Sequence, residues 1–218
     1  MDKSEIKAYI AKRVAKEFKD GDFVNLGIGL PTMVPAYLPE DVHVTLEAEL
    51  GMAGAGSAPD EAHVDWEVVD AGGAPSSVAI GGAFIDSATS FGLIRGGHVD
   101  ATVLGALQVD QKGNLANWII PGKMVPGMGG AMDLCAGASN VIVAMEHTQK
   151  GSPKILKECT LPLTTQTCVT KIITEMAVID VTDKGLVLKE YNPEFTVDQI
   201  KEATEAELIV ADDLKPIE

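Results

Sequence analysis

Cysteine and basic side chains are scarce in this 218-residue chain, and long apolar runs are absent. The three cysteines, Cys135, Cys159 and Cys168, are odd in number and show no C-x-x-C spacing. That pattern argues against a disulfide framework or a zinc site and favours a reducing compartment. No segment approaches the roughly 18 apolar residues of a membrane span, and the charged N-terminal segment has no apolar stretch of signal length. We therefore expect a cytoplasmic protein that does not interact with a membrane.

Charge and composition narrow the class of partner. The chain has 17 basic and 32 acidic residues, a formal net charge of -15. Nucleic acid is an unsuitable partner for so acidic a chain, because phosphate binding needs a basic surface. The four histidines have no neighbours at metal-ligand spacing, so we expect no metal site. With 46% hydrophobic and 22% charged residues, the composition is that of a globular protein.

Helical and strand patterns alternate along most of the chain. Apolar residues recur every four positions from Ile6 to Phe18, which predicts a first helix that begins at Ser4 and ends near Gly21. Strands are predicted at 22–29, 42–47, 77–80, 98–107, 117–120, 140–145, 170–181 and 185–191, and later helices at 86–95 and 196–204. This alternation favours an open α/β layered fold with a mostly parallel sheet flanked by helices. We expect a single domain over residues 1–218, with a frayed segment at 211–218.

Glycines occur in clusters that suggest close approach of a ligand or of a second backbone. Gly27 and Gly29 follow a predicted strand, but the G-x-G-x-x-G pattern is not completed, which weakens a nucleotide-dependent dehydrogenase. The "GMGG" turn at Gly127 to Gly130 precedes a predicted helix start at 131–137. Successive N–H groups in such a turn can form an anion-binding concavity, although the same turn can simply start a helix.

Two carboxylates follow the strand in "TLEAELGMAGAG", residues 45–56. If the strand continues through them, Glu47 and Glu49 lie on the face opposite Val44 and Leu46. A glutamate at a strand end is usually a solvated surface group. Here the strand-to-turn position and the small residues that follow favour a carboxylate that a large ligand approaches closely.

Several stretches closely resemble the B (β) subunit of the family I coenzyme A transferases, which comprise 3-oxoacid, acetoacetate and butyrate–acetoacetate enzymes. They are "VNLGIGLPTMV", "IRGGHVD", "VLGALQVD", "LANWIIPGKMVPGMGGAMDL", "MEHTQKG" and "CTLPLT". The resemblance covers about residues 5–210. The family signature around its catalytic glutamate is "SENG", and the matching residues here are Ala48, Glu49, Leu50 and Gly51. The glutamate and glycine are kept, whereas the two replacements bear on substrate range and pocket polarity.

The resemblance implies a catalytic role for Glu49, which would form a glutamyl–CoA thioester on the way from one acyl-CoA to another. Glu47 stands where the family usually has glutamine, and it is our second choice of nucleophile. By the same resemblance, Asn25, Gly129, Gly130 and Ala131 bind substrate and the oxyanion. CoA is then a substrate, and neither a cofactor nor a metal is implied.

The resemblance also implies a partner, because such chains pair with the α subunit of the CoA-transferase in an α2β2 assembly with the glutamate near the interface. The ligands would be an acyl-CoA and a short-chain carboxylic acid. Two alternatives remain open: an acyl-CoA hydrolase that uses the same glutamate, and a non-catalytic partner chain.

Overall fold

The computed structural model describes residues 1–70 and 72–218. The helices are α1 (Lys3–Ala15), α2 (Ser87–Arg95), α3 (Ala131–Gly137) and α4 (Val197–Glu202), with a 3-10 helix at Leu30–Tyr37. The strands are β1 (Phe23–Leu26), β2 (Thr45–Ala48), β3 (Met52–Ala55), β4 (Val78–Phe84), β5 (Ala101–Leu104), β6 (Gln108–Asp110), β7 (Leu115–Ala116), β8 (Asn140–Ala144), β9 (Thr148–Gln149), β10 (Ser152–Pro153), β11 (Ile155–Leu156), β12 (Lys171–Ile173), β13 (Ala177–Thr182), β14 (Gly185–Tyr191) and β15 (Leu208–Pro216).

A ten-stranded sheet in the order β15-β14-β13-β12-β8-β5-β1-β2-β3-β4 forms the frame of the molecule. The central run from β12 to β2 is parallel, and antiparallel strands extend it on both sides. The predicted α/β fold with a mostly parallel sheet is therefore confirmed. In a parallel sheet the carboxyl ends of the strands share one edge, where ligands of open α/β folds bind.

Apolar side chains cover both faces of the sheet, and β8 shows how the sequence produces this. Val141 and Val143 belong to the core under α2, α3 and α4, whereas Ile142 and Ala144 belong to the core under α1. Because successive strand residues point to opposite faces, a continuously apolar strand serves both cores. The helices on each side hold the central strands, and so the site at their ends, in place.

The first helix begins one residue before the predicted Ser4, and Asp2 caps it. The Asp2 carboxylate accepts bonds from the Ser4 and Glu5 amides at 2.7 and 2.9 Å. The Glu5 carboxylate accepts in return from the Asp2 amide at 2.6 Å. This reciprocal capping box satisfies two of the free N–H groups at the helix start, so Asp2 rather than Ser4 is the cap.

Three predicted segments differ from the structure. The strand predicted at 170–181 is two antiparallel strands, β12 and β13, because the Thr174 hydroxyl accepts bonds from the Met176 and Ala177 amides and turns the chain. Residues 117–120 form a single bridge, from Ile120 to Met124, rather than a strand. The fraying predicted at 211–218 is wrong, since β15 pairs with β14 and Ile217 is buried.

Candidate active site

A row of polar side chains crosses the central sheet. The parallel register of β1 sets Asn25 beside Glu47 of β2 on one side and beside Thr102 of β5 on the other. All three are buried, at 1%, 3% and 0% exposure. Buried polar groups need hydrogen-bond partners, and here the neighbouring strands supply them: the Thr102 hydroxyl donates to Asn25 Oδ1 at 3.4 Å.

Glu49 follows β2 directly and its carboxylate packs between an amide and a glycine turn. Asn25 Nδ2 donates to Glu49 Oε2 at 3.1 Å. On the other side, a Cβ added to Gly130 would lie 3.1 Å from Glu49 Cγ, and one added to Gly129 would lie 3.6 Å from Glu49 Oε1. The glutamate is half-buried against this turn, and side chains on the two glycines would press on it.

The turn after Glu49 depends on Gly51. Its amide donates to the Ala48 carbonyl oxygen at 2.9 Å and reverses the chain into β3. The glycine adopts a φ of 139°, and a Cβ there would lie 2.5 Å from the Ile85 carbonyl oxygen. Only glycine tolerates both conditions, so Gly51 fixes where Glu49 leaves the sheet.

Glu47 has different surroundings from Glu49, although the two stand two positions apart. Its Oε1 lies 2.7 Å from Ser90 Oγ and its Oε2 lies 2.6 Å from Asn25 Nδ2. Burial raises the pKa of Glu47, an effect that the Ser90 and Asn25 bonds oppose and the charge of Glu49 reinforces. Both of its carboxyl oxygens are already bound, which makes Glu47 a poor nucleophile as the site stands.

A cavity of about 610 Å³ opens beside Glu49. Ala48 and Glu49 contribute to its wall, and Leu26, Val44 and Leu46 give it an apolar side. Ala48, which replaces the serine of the family signature, therefore bears on the polarity of this cavity. Leu50, the second replacement, is 62% exposed and lies outside the lining, so it contributes nothing to that wall.

The predicted site residues are brought together to different degrees. Asn25, Gly129 and Gly130 surround Glu49. Ala131 begins α3 next to them, but its amide already donates to the Met128 carbonyl oxygen at 2.9 Å. As an oxyanion donor Ala131 would have to share or give up that bond, and the roles of all these residues stay predictions.

Ser90 and Thr102 belong to the same hydrogen-bonded group, yet the sequence reasoning missed both. Ser90 is fully buried on α2, one helical turn before the buried Ile94. A polar residue four positions from an apolar one, on the buried face of an amphipathic helix, is the signal that could have identified it. Thr102 carried no such signal, because its place beside Asn25 depends on strand register.

Metal centres and membrane spans are not found among the described residues. These residues contain no group of three or more His, Cys, Asp or Glu side chains arranged to hold a metal ion. Within the same part of the chain, no helix has both the length and the apolar character that a membrane crossing requires.

Comparison with known proteins agrees with this geometry. The family model for coenzyme A transferase matches residues 7–203. The acetate CoA-transferase subunit beta of Haemophilus influenzae is 56% identical over 213 residues, which cover 97% of this chain and 95% of that protein. The B subunit of the succinyl-CoA:3-ketoacid coenzyme A transferase of Helicobacter pylori is 48% identical over 92% of this chain and 97% of that one.

The fold is also found among solved structures. The apoenzyme of the acyl-CoA transferase YdiF from Escherichia coli O157:H7 superposes with a TM-score of 0.79 at 21% sequence identity. The match covers 98% of this chain and 43% of YdiF, so this chain spans less than half of that protein. The resemblance seen in the sequence motifs is thereby confirmed, and the chain belongs to the coenzyme A transferase family.

Proposed function

We propose that this chain is the glutamate-bearing subunit of an enzyme that transfers CoA between an acyl-CoA and a short-chain carboxylic acid, with Glu49 as nucleophile. The observation that carries the proposal is the position of Glu49, on the wall of the cavity and between Asn25 and the Gly129–Gly130 turn. The acid is of the acetate, butyrate or acetoacetate type, and the names of the two bacterial relatives support this class.

The first half of the reaction moves CoA onto the protein. The Glu49 carboxylate attacks the thioester carbonyl of the donor, and the C–S bond breaks to release CoA thiolate and leave a mixed anhydride. The thiolate then attacks the glutamyl carbonyl of that anhydride. The donor acid departs as a carboxylate, and a glutamyl–CoA thioester remains.

The second half reverses these bonds with a new acid. The incoming carboxylate attacks the glutamyl thioester, expels CoA thiolate and forms a second anhydride with Glu49. Attack by the thiolate on the acyl carbonyl gives the new acyl-CoA and regenerates the Glu49 carboxylate. No proton is gained or lost over the cycle, and a thioester is activated enough that neither a metal nor a resident cofactor is needed.

Each attack places negative charge on a carbonyl oxygen, and donors must already point to it. The Asn25 amide touches the Glu49 carboxylate in the resting site and is the best placed donor for the glutamyl oxyanion. The backbone of Gly129 and Gly130 supplies the second candidate surface. Removing one such donor typically raises a barrier by about 2.7–4 kcal/mol.

The partner we propose is the α subunit of a coenzyme A transferase, in an α2β2 assembly, because both bacterial relatives carry the name of one subunit among others. Its docking surface is the edge of the sheet nearest Glu49. There β4 is the last strand of the sheet and carries the fully exposed Ile80 and the 66% exposed Phe84. Unpaired strand edges with apolar side chains are surfaces that native proteins cover.

For the location of the enzyme we propose the cytoplasm. All three cysteines are free thiols. Free, partly buried thiols fit a reducing compartment.

The test of the proposed nucleophile is a CoA exchange assay on the complex reconstituted with the α subunit. Glu49→Gln keeps the shape of the side chain but removes the nucleophile, so exchange should fall at least about a thousandfold. Glu49→Asp withdraws the carboxylate by about 1 Å and should cost roughly a hundredfold. Glu202→Gln, an exposed position on α4, is the matched control and should leave exchange unchanged.

The same assay separates transfer from hydrolysis. Transfer requires that turnover depend on the added carboxylic acid and that a new acyl-CoA accumulate. Thioester cleavage that is independent of added acid and still needs Glu49 would identify a hydrolase. Full exchange by Glu49→Gln would refute the assignment of the nucleophile, and a complex that is inactive with every variant would favour the non-catalytic alternative.

A further inference from the structure

Glu47 is a buried carboxyl group among neutral partners. It is 3% exposed, and its contacts are the Asn25 amide of β1, the Ser90 hydroxyl of α2 and, across the β2–β3 ladder, Ala53. In the part of the chain that the structure describes, it makes no ion pair with a lysine, arginine or histidine. The charged group beside it is Glu49, which has the same sign.

The hydrogen-bonded group formed by Glu47, Asn25, Ser90 and Glu49 has more short contacts than protons. Asn25 Nδ2 lies 2.6 Å from Glu47 Oε2 and 3.1 Å from Glu49 Oε2, and Ser90 Oγ lies 2.7 Å from Glu47 Oε1 and 3.0 Å from the Glu49 carbonyl oxygen. These are four contacts. With both carboxylates ionised, the amide provides two protons and the hydroxyl one.

The missing proton would fall on the serine side of the group. If Ser90 donates to Glu47, its oxygen faces the Glu49 carbonyl oxygen with no proton between them, and the reverse choice leaves it facing Glu47. Two oxygens at 2.7 or 3.0 Å without a shared proton repel each other. One additional proton on Glu47 Oε1 removes this conflict.

We infer that Glu47 is a positioning residue that the site holds in its neutral carboxylic acid form. Its Oε1–H donates to Ser90 Oγ, and the Ser90 hydroxyl in turn donates to the main-chain oxygen of Glu49. The Asn25 amide donates one proton to Glu47 Oε2 and the other to Glu49 Oε2. Every short contact then contains one proton, and both the backbone and the side chain of Glu49 are fixed.

The electrostatics of the site favour the same state. Burial away from water disfavours an ionised carboxyl, and two neighbouring carboxylates without a cation do not both ionise easily. The pKa of Glu47 is raised, first by its burial, with a further contribution from Glu49. Because Glu49 is more exposed than Glu47, the negative charge resides on Glu49, the proposed nucleophile.

Neutral Glu47 has a consequence for the proposed reaction. When Glu49 is converted to an anhydride or thioester, each later attack puts negative charge on its carbonyl oxygen, next to the Asn25 amide. A neutral acid at Glu47 leaves that amide free to stabilise the charge, whereas an ionised Glu47 would compete for the amide and repel the oxyanion. Glu47 acts through Asn25 and Ser90 and does not touch the substrate.

The inference rests on the proposed role of Glu49 and predicts a pH dependence of fixed sign. Glu47 works in its protonated form, so kcat falls as pH rises through its raised pKa. Glutamine reproduces the neutral acid, with one acceptor and one donor on the same frame. In Glu47→Gln the reconstituted enzyme should keep kcat within about threefold at neutral pH and should lose the alkaline fall assigned to Glu47.

Glu47→Leu is the matched variant, since it fills similar space with no hydrogen-bonding group. It should lower kcat by about 10- to 100-fold with a smaller change in KM, because Glu49 loses its fixed geometry. Ser90→Ala, which breaks the relay at its middle, should lower kcat in the same direction. Circular dichroism and thermal melting of each variant establish that the fold is kept.

An infrared measurement tests the protonation state without turnover. The difference spectrum of wild type minus Glu47→Gln at neutral pH should contain the C=O stretch of a protonated carboxylic acid. A difference spectrum with carboxylate bands alone would overturn the inference. So would an alkaline fall that is unchanged in Glu47→Gln, or a loss of kcat in that variant as large as in Glu47→Leu.

Failure of this inference can be told from failure of the proposed function. If Glu49→Gln is inactive while Glu47→Gln shows no carboxylic acid band, the nucleophile stands and the neutral Glu47 is refuted. If Glu49→Gln exchanges CoA normally, the proposed nucleophile is refuted, whatever the infrared spectrum shows.

Discussion

At the residue scale, the neighbours of Glu49 decide what it can do. It is half-buried, one amide touches its carboxylate, and its aliphatic part lies against a backbone without side chains. Such a carboxylate keeps a free oxygen for attack while its direction is set by the residues around it. The glycines at 129 and 130 are therefore required by the space that Glu49 occupies.

Gly130→Ala tests that requirement. The glycine has φ near -80°, which alanine adopts without strain, so the fold should be kept. The new methyl group would lie 3.1 Å from Glu49 Cγ and must displace the side chain. A shift of about 1 Å at a reacting group can cost roughly a hundredfold, so we expect a loss of that order in kcat for CoA exchange.

Gly92→Ala provides the matched control, because a Cβ at this position of α2 meets nothing within 4 Å. Alanine in a helix is more stable than glycine by roughly 0.5–1 kcal/mol, so this variant should melt slightly higher and exchange CoA normally. Equal activity of the two variants would show that contact between Gly130 and Glu49 is irrelevant to turnover.

The sequence permitted prediction of part of this site. Glu49, Asn25 and the 129–130 turn were identified through motifs with a fixed order along the chain, and the structure brings them into contact. Ser90 and Thr102 were missed because their contacts join α2 to β2 and β5 to β1, across register that no local pattern encodes. The two glutamates could be told apart by burial, which the sequence does not show directly.

At the scale of the elements, a buried ion pair attaches α1 to the antiparallel side of the sheet. Arg13 Nε lies 2.6 Å from Glu190 Oε2 of β14, and Arg13 Nη1 lies 2.6 Å from Glu17 Oε1. The Arg13 and Glu190 side chains are only 8% and 10% exposed. Removing one member of such a pair leaves an uncompensated buried charge, which typically costs about 3–5 kcal/mol.

Arg13→Ala should therefore lower the free energy of unfolding by about 3–5 kcal/mol, measured by urea denaturation. Arg95→Ala is the control, since Arg95 pairs with Asp133 at 2.6 Å but its side chain is 67% exposed. Exposed pairs contribute little, so this change should leave the unfolding midpoint nearly unchanged. Similar effects of the two substitutions would show that the Arg13 pair does not hold α1 to the sheet.

Element boundaries were harder to predict than element types. The helices at 86–95 and 196–204 and the central strands were expected from apolar periodicity and are present. The turn at Thr174 was not expected, because a side-chain hydroxyl makes it inside an otherwise apolar run. The charged residues 211–216 suggested fraying, but their backbone pairs with β14, and edge strands often have charged side chains.

At the scale of the whole molecule, the two edges of the large sheet differ. The β15 edge carries charged residues, whereas the β4 edge carries exposed Ile80 and Phe84 and is the edge nearer to Glu49. An exposed apolar edge beside an open cavity fits a site that a second subunit completes. This is the basis for expecting little exchange from the chain alone.

Size-exclusion chromatography with a parallel exchange assay tests this expectation. The chain alone should be folded with little or no activity, and addition of the α subunit should restore turnover. Ile80→Asp places a charge on the proposed interface and should weaken assembly at least about tenfold in Kd. Ile209→Asp, the same change on the β15 edge where Ile209 is 42% exposed, should assemble normally. Full activity of the single chain would contradict the two-subunit interpretation.

The most direct test of the account is to locate the covalent intermediate. The complex with the α subunit is incubated with an acyl-CoA in the absence of acceptor acid, reduced with borohydride, and digested for peptide mass spectrometry. Reduction of a glutamyl thioester converts that side chain to an alcohol, and we expect the modification at Glu49, with Glu47 unmodified in the same peptide. Modification at Glu47, or an unmodified peptide from an enzyme that turns over, would contradict the account.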